Sequence, residues 1–170
     1  MRRPGAGVIT VLHDPEDDVE IVHGALAAHD LGLRQVTVHP TVGTTAVRMF
    51  ALDILAALGV RVTAETATRE HLGGAERALS VAAAWLVANR IDVVIVVRAH
   101  LLSPAARRGL SRLATDAEVR VVALWHGRRP DGWAEAFAHP ASMTREIEEI
   151  GAVLAGARRN PAAAPPDPAR

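Results

Sequence analysis

Ile91-Asp92-Val93-Val94-Ile95-Val96-Val97-Arg98-Ala99-His100-Leu101-Leu102 is the stretch on which the fold turns, and Ser103-Pro104 follows it directly. From Val93 to Val97 every side chain is β-branched, so neither alternating face offers a polar surface to water. Such a run suits a strand buried on both sides, as in a parallel sheet covered by helices. The spacing predicts a strand over Asp92–Val97. Ser103 and Pro104 then supply an N-cap and a first helical residue for Pro104–Ala114.

Working outward, Gln35–His39 and Val119–Trp125 read as strands of the same kind. Val60–Thr63 is a weaker strand candidate, and Gly7–Leu12 reads as a strand or an ordered arm. Helical patterns fill the gaps. Asp17–His29 begins in the acidic run Asp14-Pro15-Glu16-Asp17-Asp18, favourable at a helix N-terminus and otherwise a cap and solvated turn. Thr44–Leu58 carries apolar residues at a 3–4 spacing and stops at Gly59, Ala75–Asn89 repeats the pattern, and Thr144–Ala157 is the last helix. Alternation of strands and helices predicts a three-layer α/β/α domain with a mainly parallel sheet and right-handed crossovers. One domain is expected over residues 1–159, with a disordered Pro/Ala-rich tail over 160–170.

Composition narrows the chemistry. The chain has 170 residues, 49% of them hydrophobic but only 3% aromatic, so the core is aliphatic. There is no cysteine, which removes disulfides, thiolate catalysis and cysteine metal ligands. All 19 basic residues are arginine, so neither a Schiff base nor a lysine on a phosphate is available. Acidic residues also number 19, and this balance gives no global field toward nucleic acid or anionic membrane. No apolar run reaches the ~20 residues of a membrane span, and a cytoplasmic location is expected.

The segment Val38-His39-Pro40-Thr41-Val42-Gly43-Thr44-Thr45, between a strand and a helix, resembles a Walker A phosphate loop. Gly43 stands at the second glycine position and Thr45 at the hydroxyl position, while Val38 replaces the first glycine and Thr44 the lysine. The Ala99-His100-Leu101-Leu102 portion of the 91–102 segment resembles a Walker B strand ending Asp-Glu-Ala-His-Leu-Leu. Val97 stands for that family's metal-ligating aspartate and Arg98 for its catalytic glutamate. Val119–Trp125 is similar to the sensor strand, with His126 near the polar sensor position. The pattern resembles the AAA-type P-loop ATPases that accompany transposases and related DNA-processing systems, without their small helical lid.

The resemblance implies a P-loop-like fold whose turnover residues have been lost. A valine cannot ligate magnesium, and an arginine cannot accept a proton from water near neutral pH. No catalytic residue is therefore expected, and no cofactor beyond weak binding of ATP or another anion at Gly43, Thr44, Thr45 and Arg98. The expected role is an inactive binding or regulatory domain with a protein partner such as an active ATPase or a transposase, and without direct nucleic-acid binding. The alternatives are a residual ATPase completed by a neighbouring subunit, and an anion or small-ligand sensor built on the old loop. His39, His100 and His126 at strand ends form a zinc-type alternative to the expectation of no metal.

Overall fold

The computed structural model describes residues 7–42, 46–61, 63, 73–127 and 141–144. Its elements in chain order are β1 (Ile9–Asp14), α1 (Val19–Ala27), β2 (Gln35–Val38), α2 (Val47–Ala57), α3 (Ala75–Ala88), β3 (Val93–Val96), a 3-10 turn (Ala99–Leu101), α4 (Pro104–Asp116), β4 (Arg120–His126) and β5 (Ala141–Thr144). The strands form one sheet in the order β2-β3-β4-β1-β5, with every pairing parallel.

Strand alternation sorts the core into two layers. Ile9, Val11, Val36, Val38, Val94, Val96, Val121 and Ala123 pack with α2, α3 and α4 on one face. Leu12, Val93, Ile95, Val97, Val122 and Leu124 meet Ile21 and Ala25 of α1 on the other. This is the α/β/α layering expected of strands with no polar face.

The helices stop where local chemistry dictates. After the C-caps Leu58, Asn89 and Ala117 of α2, α3 and α4 the next two N–H groups turn back onto the last turn: Gly59 to Ala56 and Val60 to Leu55, Arg90 to Val87 and Ile91 to Leu86, Glu118 to Thr115 and Val119 to Ala114. These are Schellman closures, with Gly59, Arg90 and Glu118 at the left-handed position. Ser103 caps α4 by accepting from the N–H of Ala106 at 3.2 Å. Gly109 lets α4 approach its neighbours, since a Cβ there would lie 2.9 Å from Leu79 Cδ1.

The 7–12 segment is no arm. Its strand, β1, lies inside the sheet between β4 and β5. Val60 and Arg61 belong to no strand. The last expected helix began at Thr144, but Thr144 closes β5, and the remainder of that helix, like the 160–170 tail, lies outside the described residues.

Candidate functional site

In an open parallel sheet the crevice for a ligand lies beyond the carboxyl ends of the strands, where successive connections diverge to opposite faces. Here the chain leaves β1 for α1 on one face, and leaves β3 for α4 on the other. Strand β4 lies between them, so its carboxyl end marks the crevice.

Asp14 and His126 are register partners at the ends of β1 and β4, and alternation puts both on the α1 face. Each is only 4% exposed. The His126 Nδ1 atom stands 3.1 Å from Asp14 Oδ2 and 3.0 Å from Asp17 Oδ1. Asp14 Oδ2 also accepts the backbone N–H of Asp18 at 2.7 Å. Asp17 reaches His126 because its backbone adopts the left-handed conformation (φ 56°), which aspartate tolerates better than most residues.

Asp18 then caps α1, its Oδ1 accepting from Glu20 N at 2.9 Å and its carbonyl from Ile21 N at 3.1 Å. A helix N-terminus pointing at a sheet crevice is the usual seat of a phosphate. In this chain the first-turn donors are engaged by Asp18, and Asp14, Glu16 and Asp17 add negative charge beside them.

The β3 side contributes Arg98 and His100. Arg98 is also left-handed (φ 53°), and its Nη2 lies 3.8 Å from Asp17 Oδ2. Both side chains are roughly half in solvent, and such a pair contributes about 0–1 kcal/mol. The His100 ring meets those of Trp125 and His126 edge to face, at 6.3 and 5.7 Å between centroids. Arg107 lies over Trp125 at 4.7 Å and donates to the Leu102 carbonyl at 3.0 Å. His100 Nδ1 and His126 Nε2 are buried without a hydrogen-bond partner among the described residues.

Burial, and then the nearby charges of His126 and Arg98, hold the His100 imidazole below its ordinary pKa of 6.5. Because the unfolded chain then binds the extra proton first, this group stabilises the fold above its unfolded pKa. That contribution is lost as pH falls through the lower folded value. Urea titrations between about pH 8 and 5 should therefore show a shallower loss of stability for His100→Asn than for the native chain. Parallel losses would remove His100 as a contributor.

The residues expected from sequence are distributed unevenly around this crevice. Arg98 is at its rim, paired with Asp17. Gly43, Thr44 and Thr45 lie outside the described residues. The loop they belong to leaves β2, which is the edge strand, with β3 and β4 between it and β1. Asp53 of α2 fastens this loop, accepting from Thr41 N at 2.9 Å and Thr41 Oγ1 at 2.6 Å.

The three histidines do not gather into one site. His39 follows the edge strand, is exposed, and sets Nδ1 3.2 Å from the Pro40 carbonyl, while β3 separates its strand from that of His126. Only His100 and His126 meet. Among the described residues, the group whose donor atoms converge within 4.8 Å is Asp14, Asp17 and His126. From sequence alone Asp14 and Asp17 read as parts of a cap and solvated turn. The available signal was an aspartate ending an apolar strand, but it points to a site only once β1 is known to be internal.

No protein-family model and no curated protein matches this chain. Among the described residues no helix is long and apolar enough to cross a membrane.

Proposed function

We propose that this chain is a non-hydrolysing domain of the P-loop, AAA-like type that acts in the cytoplasm by binding a protein partner, such as an active ATPase or transposase of a DNA-processing assembly. The observation that carries the loss of turnover is the filling of the central crevice by the chain's own carboxylates. Asp18 engages the α1 N-terminus, and Asp14 and Asp17 converge on His126 where a nucleotide would need cationic and N–H donors.

The all-parallel sheet with helices on both faces is compatible with the P-loop reading. The segment 91–102 delivers Arg98 and His100 to the crevice, and neither can perform the family's carboxylate chemistry. Trp85 and Val87 on α3 and Leu26, Leu31 and Leu33 near the end of α1 are exposed apolar groups that a protein partner would cover.

Magnesium-dependent release of phosphate from ATP or GTP by the purified chain is expected to equal a control without protein. Steady release that is abolished by Thr45→Ala would instead favour a residual hydrolase using the 38–45 loop.

A further inference from the structure

We propose that Asp14, Asp17 and His126 form a binding site for a divalent transition-metal cation of the Zn²⁺ class. The donors come from two elements that the fold locks together. Asp14 and His126 are fixed as register partners on adjacent strands, and Asp17 is brought over them by the turn into α1.

The arrangement presents a deficit of positive charge. Two carboxylates face one imidazole nitrogen at 3.0 and 3.1 Å, and a single proton on Nδ1 can be directed fully at only one of them. An imidazolium ring would carry a second N–H at Nε2, which is buried and has no partner among the described residues. Arg98 answers Asp17 only from 3.8 Å and from partial solvent exposure. A divalent ion in place of the Nδ1 proton serves both carboxylates at once.

The donor set selects the ion. One imidazole nitrogen with two carboxylate oxygens suits zinc, whereas magnesium and calcium prefer all-oxygen shells. Zinc sites with three protein ligands keep a further position open, and here it would be reached past Asp17, whose side chain is 51% exposed. Donors around zinc at about 2.0–2.2 Å lie roughly 3.3 Å apart in a tetrahedral shell, so small shifts of the Asp17 turn suffice. The crevice would thus take a cation where its fold ordinarily takes an anion.

The test is a calorimetric titration of the chelator-treated full chain with Zn²⁺, paired with thermal melting and with nitrogen-detected NMR of the His126 ring. The native chain is expected to bind one ion, to melt at a higher temperature, and to show a large shift of His126 Nδ1. Asp17→Asn, on a half-exposed turn, should remain folded and weaken binding by about 10- to 100-fold or more. Asp14→Asn should do the same, while His23→Ala on the exposed face of α1 should change nothing. Magnesium at equal concentration should leave the melting temperature in place. Absence of saturable zinc binding, or binding undiminished in both aspartate variants, would overturn the assignment.

Discussion

Val97→Asp should destabilise the domain by about 4 kcal/mol or more, enough to unfold much of it at ambient temperature. Val97 is fully buried, in the layer that Leu12, Val122 and Leu124 form beneath Ile21 and Ala25 of α1. A carboxylate there would have no water and no cation, and would persist only by taking up a proton. Val97→Thr, with similar volume and a hydroxyl, should cost about 1–3 kcal/mol. Urea denaturation of the three chains measures the series. Native-like stability of Val97→Asp with a magnesium-dependent gain would mean that this side chain reaches the crevice, and would contradict the placement of the core.

His126→Ala should cost about 3 kcal/mol. It removes a buried ring and leaves the Asp14 carboxylate, 4% exposed, with the Asp18 N–H as its remaining short contact. Asp17→Asn should cost less than about 1 kcal/mol, since the lost charge is half in solvent. The contrast between the variants matters more than either value. Equal losses would mean that burial does not govern the cluster, and a loss for Asp17→Asn alone would put the charge centre at the rim.

The layered, parallel architecture was legible because fully β-branched runs such as Val93–Val97 leave no solvent face, and because Ser103-Pro104 and Gly59 mark helix boundaries through local chemistry. Strand order was not legible. It depends on which strands pair across the whole chain, and Ile9–Asp14 differs little in composition from a terminal arm. Its interior position nonetheless decides where the crevice lies. Reading the 38–45 loop as a phosphate loop places a site beyond β2, whereas the Asp14–Asp17–His126 cluster lies at the ends of β1 and β4 in the middle of the sheet. Arg98 and His100 could be placed at the carboxyl edge of the sheet from sequence because they directly follow a well-marked strand. Asp14 and Asp17 were missed because an acidic turn before a helix has a sufficient local explanation in capping, and Asp18 does act as that cap. The meeting of Asp14 with His126 joins positions 112 residues apart.

On the proposed reading, the carboxylates of residues 14–18 occupy the crevice in which a nucleotide would bind. Thermal melting in 1 mM ATP with magnesium tests it most directly. A dissociation constant of about 10 μM would add about 2.7 kcal/mol at that concentration and raise the melting temperature by roughly 5–10 °C. With the crevice filled by these carboxylates, no nucleotide-dependent change is expected, with or without magnesium; a rise of that size that requires magnesium would show that the crevice is open to nucleotide.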